Sequence, residues 1–258
     1  MPLLATKILV GFTVGVLIGL SGVGGGVLLL PVLIFGLHIQ AIVAVGTDAL
    51  FNFFTKIPAG LLHLKKGTVR RKVVMALSVG SIPGSFCGVK LLLYIRSLYG
   101  DGVNNFIKTA VGVLLIIVPL LLLFQRRIEE KVANRPPTMK GFAGMAVLGL
   151  VAGFLVGMTS VGSGSIIMML LLLFYSFPPK VNVGTDIVHA VVLTGVTGLL
   201  HFRAGNVDPK LLLCLLIGSI PGGLIGSHLS TRVPMLWLRR ILCALLLITG
   251  ARMLWPNL

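Results

Sequence analysis

One block of the sequence occurs twice in this chain, at a constant spacing. Residues 15–90 recur in altered form at residues 153–228, so each position has a counterpart 138 residues later. The matching motifs are Gly46-Thr47-Asp48 with Gly184-Thr185-Asp186, His63 with His201, and Gly80-Ser81-Ile82-Pro83-Gly84 with Gly218-Ser219-Ile220-Pro221-Gly222. The block aligns without a gap. The chain is therefore predicted to contain two copies of one structural unit.

The composition excludes a soluble domain. Of the 258 residues, 56% are hydrophobic and 11% are charged, and the mean hydropathy is +1.06. Long apolar segments lie at about residues 3–37, 41–64, 73–95, 104–124, 141–177, 181–202, 209–229 and 236–255. Apolar segments of about 18 or more residues are predicted to span a bilayer as helices. The expected fold class is therefore an all-α polytopic membrane protein.

The basic residues are concentrated in short loops. The net charge is +16, and the main clusters lie at residues 65–72 and 126–140. Such loops are typical of the cytoplasmic side of a bacterial inner-membrane protein, because anionic lipid and the insertion machinery retain Lys and Arg there. We therefore expect the lipid bilayer as a partner, and no nucleic acid. Three cysteines in apolar runs predict neither a disulfide nor a metal site, and no cofactor is expected.

A single long polar stretch divides the chain. Residues 125–140 combine mixed charge with the pair Pro136-Pro137, which is typical of a surface linker. The predicted organisation is a first transmembrane repeat at residues 1–125, a cytoplasmic linker at residues 126–140 and a second transmembrane repeat at residues 141–258.

The first and fifth apolar segments are too long for one simple helix, and each contains a run of residues that disfavour helix. The first run includes Ser21, Gly22, Gly24, Gly25 and Gly26; the second includes Thr159, Ser160, Gly162, Ser163, Gly164 and Ser165. Such runs should unwind a helix, and unwound backbone at membrane depth requires protein or a water-filled cavity around it. Each repeat is therefore predicted to hold one glycine-broken or re-entrant helix.

The breaks affect the topology of the repeats. If each broken segment enters and leaves on one side, the two repeats are inverted; if each crosses once, they are parallel. The basic loop at residues 65–72 has a nearly neutral counterpart at residues 203–210, and the loop at residues 232–240 is more basic than its counterpart at residues 96–108. This comparison favours inversion, although the parallel arrangement stays open.

The broken helices are the first candidate binding site. A half-helix that starts after an unwound turn points free N–H groups and its positive dipole end into the protein, which suits an anion. The residues of both breaks from Ser21 to Gly26 and from Thr159 to Gly164 would contribute backbone and hydroxyl donors. The alternative is that the glycines only allow close helix packing, which fits Gly15 and Gly19 better than the dense runs.

The second candidate is a lysine deep in an apolar segment. Lys56 lies about eight residues from each end of its segment, so its charge cannot easily reach an interface. Asp48, Asn52 and Lys56 are spaced four residues apart and form one stripe on a helix. Snorkelling of Lys56 is the alternative, and Pro58 is expected to kink the helix beside it.

The second repeat has a different stripe, formed by Asp186, His189 and Thr194. Thr194 replaces the lysine, so the predicted site is asymmetric. Asp48, Asp186 and His189 are candidates for proton coupling, because ionisable groups at membrane depth commonly mark proton relays. The alternative for the aspartates is that each caps its helix. His63 and His201 lie next to basic residues near segment ends and are expected at the membrane interface.

The glycine pattern of residues 15–31, followed by Gly46-Thr47-Asp48 and by a degenerate second copy, resembles the TauE/SafE family of sulfite exporters, also called the 4-toluene sulfonate uptake permease family. The resemblance covers nearly the whole chain. It implies a multi-spanning inner-membrane carrier of small sulfur oxyanions such as sulfite, or of organosulfonates. It carries over Gly22, Gly24, Gly25, Gly26 and Pro31, with Gly162, Ser163 and Gly164 in the second copy, where Met169 replaces the proline.

The predicted function is secondary transport of a small anion, as an exporter, by alternating access between the repeats. No catalytic residues are assigned, and the chain is not expected to be an enzyme. The alternatives are a passive anion channel, an accessory membrane protein or, less favoured, an intramembrane aspartyl protease built on Asp48 and Asp186. Glycines such as Gly80, Gly84 and Gly88 fit a homodimer contact or internal packing equally well.

Overall fold

The chain forms a bundle of helices, described here from a computed structural model. The structure describes residues 2–21, 25–132, 141–174, 177–229 and 235–255, and no strand occurs within those ranges. The helices are α1 (Pro2–Ser21), α2 (Gly25–Pro31), α3 (Ala41–Lys65), α4 (Arg71–Tyr99), α5 (Val103–Val132), α6 (Phe142–Thr159), α7 (Ser165–Phe174), α8 (Pro179–Arg203), α9 (Pro209–Leu229) and α10 (Met235–Leu254). A π-helical turn (Val32–Gly36) continues α2, and a 3-10 turn (Gly100–Gly102) joins α4 to α5.

The helices match the predicted apolar segments. Among the described residues, the stretches long and apolar enough to cross a bilayer are Arg71–Leu123, Phe142–Thr159, Lys180–Arg203 and Pro209–Leu229, with shorter apolar helices at Leu4–Leu20 and Gly26–Gly36. Large apolar side chains, Leu224 and Ile220 among them, remain exposed on the surface of α9. Exposed apolar surface on that scale fits contact with lipid rather than with water. The prediction of an all-α polytopic membrane protein is confirmed.

Both long segments are interrupted at the predicted glycine runs. In the second repeat, α6 ends at Thr159 and α7 begins at Ser165, with Ser160 at φ 57° and Gly162 at φ 96° between them. This left-handed backbone ends a helix, and glycine adopts it without strain. In the first repeat, α1 ends at Ser21 and α2 begins at Gly25. Gly22 and Gly24 lie outside the described residues.

The two repeats pack against each other through two equivalent pairs of helices. α1 packs along α9, and α6 packs along α4. A Cβ on Gly15 would meet the backbone of Ser219, and a Cβ on Gly153 would meet the backbone of Ser81. These two contacts match at the spacing of 138 residues, so each repeat's first helix packs against the fourth helix of the other repeat. Small residues permit this close backbone approach.

Two further pairs join helices that are counterparts of each other. In the pair of α3 and α8, Gly60 faces Val188 and Gly198 faces Leu50, so the two helices run antiparallel. In the pair of α5 and α10, Gly112 faces Met253, and the Cys243 thiol lies 3.8 Å from the carbonyl of Pro119, which is also an antiparallel register. Counterpart helices therefore run in opposite directions where they meet.

The predicted linker begins as helix. α5 continues to Val132, so the residues from Arg126 to Val132 are helical, although their mixed charge suggested a loop. Residues 133–140, which include the proline pair, lie outside the described residues.

Adjacent glycines in α9 provide a matched test of this packing. A Cβ on Gly222 would collide with the backbone carbonyl of Phe12, whereas a Cβ on Gly223 would lie 3.8 Å from the carbonyl of Gly15, an ordinary contact. We expect Gly222→Ala to destabilise the protein by about 1–3 kcal/mol, the usual cost of overpacking, and Gly223→Ala to be neutral or slightly stabilising. Thermal unfolding of both variants in detergent measures the difference. Equal melting temperatures would contradict the close α1–α9 contact.

Candidate functional site

The predicted stripe on α3 faces the broken segment of the second repeat. Asp48 and Asn52 are fully buried. The Ser160 hydroxyl donates to Asp48 Oδ2 at 2.7 Å, and Lys56 Nζ donates to Ser163 Oγ at 3.0 Å, with the Ser163 carbonyl oxygen 3.4 Å away. The Lys56 side chain is partly exposed, so it lies at the edge of this buried cluster.

The broken segment of the first repeat reaches the same place. A Cβ on Gly26 would lie 2.9 Å from the carbonyl oxygen of Ser160, 3.0 Å from Asp48 Oδ2 and 3.2 Å from Asn52 Nδ2. The start of α2 therefore packs against both the second break and the stripe on α3. Ser21 ends α1 and Gly25 begins α2, on either side of residues that lie outside the described ranges. The structure thus brings the two breaks together at one point.

The residues of the second repeat's stripe, Asp186 and His189, have different partners from each other. Asp186 is buried, and its carboxylate interacts electrostatically with the Lys56 ammonium group. His189 is fully buried, and its Nε2 lies 2.9 Å from the hydroxyl of Ser81 on α4. Asp186 therefore joins the charged cluster around Lys56, whereas His189 also ties α8 to α4.

Two predicted hydroxyl donors are used within their own segments. The Thr194 hydroxyl donates to the carbonyl of Ala190 at 2.7 Å. The Thr159 hydroxyl donates to the carbonyl of Leu155 at 2.7 Å and accepts the N–H of Val161 at 3.2 Å. Both hydroxyl groups therefore donate to backbone carbonyls of their own helix, Thr194 in the interior of α8 and Thr159 at the end of α6. Neither hydroxyl proton is then available to an anion. Ser160 and Ser163 are the hydroxyls of this break that face the α3 stripe.

The cluster contains buried polar atoms whose bonding capacity is unmet. Within the described part of the chain, the two stripes and the second break hold buried side-chain atoms without a hydrogen-bond partner: Asp48 Oδ1, Asn52 Oδ1, Asp186 Oδ1, His189 Nδ1 and Ser165 Oγ. Buried polar atoms in native proteins are nearly always paired with protein or ordered water. Asp48 and Asn52 lie where the two breaks meet, and their unpaired atoms are what a site for water or a polar ligand requires.

The Gly-Thr-Asp motifs have a different role from the predicted helix caps. Asp48 lies well inside α3, which begins at Ala41, so it caps no helix start. The motif's threonine instead serves the other repeat, because the Thr47 hydroxyl accepts the N–H of Asp208 at 3.1 Å and the Thr185 hydroxyl accepts the N–H of Arg70 at 3.0 Å. Asp208 and Arg70 each precede the helix that they introduce, α9 and α4. The threonines thus hold each repeat's helix start against the other repeat.

Sequence reasoning missed part of the buried polar framework. His201 is fully buried, and its Nε2 lies 2.9 Å from the carbonyl oxygen of Gly157, a contact that the sequence did not predict. The Ser85 and Thr197 hydroxyls join α4 to α8 at 2.7 Å. Polar residues in apolar segments were the available signal for these pairs, but their partners lie more than 40 residues away in sequence.

Comparisons with known proteins agree with this architecture. Residues 7–253 match the profile of the family described as sulfite exporter TauE/SafE. The chain is 37% identical over 251 residues to YjnA of Bacillus subtilis, described as a probable membrane transporter protein, and the match covers 96% of this chain and 98% of YjnA. It is 27% identical to a second probable membrane transporter protein of the same organism, YunE, over 97% of this chain and 96% of YunE. A probable membrane transporter protein of Methanocaldococcus jannaschii is also 27% identical, over 98% of this chain and 96% of the relative. No solved structure matches the chain.

Proposed function

Because the chain belongs to the TauE/SafE family of membrane transporters, we propose that it is a secondary transporter that exports small sulfur oxyanions such as sulfite, or organosulfonates, in a proton-coupled cycle. The transporter class follows from the family. The substrate, the direction and the coupling belong to the proposal, and the sulfite exporter description of the family supports the choice of substrate.

The observation that carries the proposal is the position of Lys56. Its ammonium group lies beside Ser163 in the second break, and the first break packs against the same cluster at Gly26. The Lys56 ammonium group, the Ser163 hydroxyl and the start of α7 together offer the charge and the N–H and O–H donors that an oxyanion requires. Gly24 and Gly22, which carry the family pattern, belong to this proposed site by their place in the sequence alone.

We further propose that the repeats are inverted in the membrane. The antiparallel packing of α3 with α8, and of α5 with α10, supports this arrangement, since counterpart helices related by an axis in the membrane plane run in opposite directions. Gly11 faces Leu215 and Gly19 faces Gly223, so α1 runs parallel to α9. Because α9 turns back from α8, and α8 is antiparallel to α3, α1 and α3 run in the same direction, so α2 must return the chain between them. The pair α1–α2 then enters from one side, and α6–α7 from the other.

The charged loops support one orientation of this bundle. The α3–α4 loop, with Lys65 and Arg70, lies on the same side as the end of α5, and basic loops favour the cytoplasm. The pair α6–α7 would then enter from the cytoplasm and α1–α2 from outside. Alternating access would move the two halves around the point where the breaks meet.

The test is sulfite flux in proteoliposomes of the purified protein. We expect saturable flux that an imposed pH gradient accelerates, with protein-free liposomes as the control. Flux that neither saturates nor responds to the gradient would contradict a secondary transporter and indicate a passive channel. Flux of an organosulfonate in place of sulfite would assign the larger substrate to the same site.

A further inference from the structure

A buried histidine forms a hydrogen bond to the last turn of α6, the helix that precedes the break in the second repeat. Gly157 lies in the last turn of α6, where carbonyl groups have no partner within the helix. The N–H of Val161, which would otherwise continue the ladder, is bonded to the Thr159 hydroxyl. His201 Nε2 lies 2.9 Å from the Gly157 carbonyl oxygen and must donate to it. His201 thereby fixes the end of α8 to the helix that leads into the break.

The counterpart histidine makes a different bond. His63 lies in the last turn of α3, and its Nδ1 is 2.8 Å from the hydroxyl of Thr68. The equivalent of Gly157 in the first repeat is Gly19, and among the described residues His63 makes no hydrogen bond to it. His63 is partly exposed, whereas His201 is fully buried. The two histidines occupy matching positions but are in different bonding states.

The atoms that His63 and Thr68 use have unpaired counterparts in the second repeat. Asn206 is the counterpart of Thr68, and both His201 Nδ1 and Asn206 Nδ2 are buried without a hydrogen-bond partner in the described structure. An amide N–H can donate to an imidazole nitrogen, so these two atoms are chemically fit for the bond that His63 makes with Thr68. The amide oxygen of Asn206 is already held by Arg96 Nη1 at 2.8 Å.

We propose that His201 and His63 are positioning residues that exchange these two states during the transport cycle. In the present conformation His201 is hydrogen-bonded to the carbonyl of Gly157, and His63 is hydrogen-bonded to the hydroxyl of Thr68. In the opposite conformation His63 Nε2 donates to the carbonyl of Gly19, and His201 accepts the amide N–H of Asn206. The inference rests on the proposed alternating-access function, because inverted repeats reach the opposite state by exchanging their conformations.

Each histidine then stabilises the conformation in which the transport path is closed on one side of the membrane. With basic loops in the cytoplasm, the end of α8 lies toward the outside, so the His201–Gly157 bond closes the outer path. Loss of His201 should favour the outward-open state, and loss of His63 should favour the inward-open state. One net hydrogen bond changes such a population ratio by about fivefold.

Labelling of the site from each side of oriented membrane vesicles tests the inference. The reporter is Ser163→Cys in full-length protein from which Cys87, Cys214 and Cys243 have been removed, probed with a membrane-impermeant thiol reagent. We expect His201→Leu to raise the outside-to-inside labelling ratio about fivefold and His63→Leu to lower it similarly. His201→Gln, which retains a side-chain N–H donor of similar reach, should restore the ratio.

Opposite shifts, with rescue by glutamine, support the exchange of bonding states. Shifts in the same direction, an unchanged ratio in His201→Leu or failure of the glutamine rescue would overturn it. The labelling requires no substrate, so its result is separate from that of the flux assay. A protein without sulfite flux but with opposite labelling shifts would lose the proposed substrate and keep the histidine exchange.

Discussion

Replacement of Lys56 by alanine is expected to abolish saturable anion transport and to weaken sulfite binding by at least about 100-fold. The reason is electrostatic, because Lys56 donates to Ser163 in the second break and its charge acts on both Asp48 and Asp186. Its removal would leave an anion to bind beside these carboxylates without the compensating ammonium group. Removing one partner of a hydrogen-bonded charge pair commonly costs about 2–5 kcal/mol of binding free energy, and each 1.4 kcal/mol is a factor of about ten in affinity.

The matched control for this variant is Lys90→Ala. Lys90 lies on the exposed surface of α4, with its ammonium group 4.9 Å from the centre of the Phe86 ring. Both variants lose one positive charge, but only Lys56 contacts the break. Binding is measured by calorimetry on purified protein, and thermal unfolding shows that each variant folds. Unchanged sulfite binding by folded Lys56→Ala protein would remove Lys56 from the proposed site.

Local sequence chemistry was sufficient to predict the helices and their breaks. The dense run around Ser160 and Gly162 marks the end of α6 because few residues other than glycine adopt its left-handed backbone. Hydropathy located the spans but not the end of α5, because the helix continues beyond the apolar residues to Val132. An apolar pattern marks the residues that a bilayer can cover, and a helix can extend past them.

The stripe on α3 was predictable, whereas its partners were not. Asp48, Asn52 and Lys56 follow from helical spacing alone. The contacts of Asp48 with Ser160 and of Lys56 with Ser163 join residues more than 100 positions apart, and they depend on how the repeats pack. The burial of His201 was missed for the same reason, because closeness in sequence to Arg203 says nothing about the helix end that covers its ring.

The two carboxylates of the cluster stand in different surroundings, which assigns them different expected roles in coupling. With Lys56 charged, a site that holds both Asp48 and Asp186 as carboxylates would carry a net negative charge and repel an anion. Anion binding therefore favours the uptake of one proton. Each carboxyl group has one oxygen without a partner in the described structure, Asp48 Oδ1 and Asp186 Oδ1. The difference is that Asp48 Oδ2 accepts the Ser160 hydroxyl, a hydrogen bond that is stronger to the ionised carboxylate. We therefore expect Asp48 to stay ionised and Asp186 to take the proton.

Asp186→Asn should consequently remove the pH dependence of transport. Asparagine has the size of the protonated acid and stays neutral, so an organosulfonate, which is ionised throughout pH 5–8, should bind with similar affinity across that range, whereas its binding to the unmodified protein weakens as the pH rises. Uphill sulfite accumulation driven by a pH gradient should fall at least about tenfold, because the ion that links the gradient to the substrate is lost, while slower sulfite exchange persists. The measurements are organosulfonate affinity against pH and gradient-driven sulfite flux, with Asp101→Asn in the exposed α4–α5 turn as the control that removes the same charge. If Asp186→Asn still accumulates sulfite against its gradient, the coupling proton does not bind at Asp186, and Asp48 and His189 remain as the groups of the cluster to be tested in the same way.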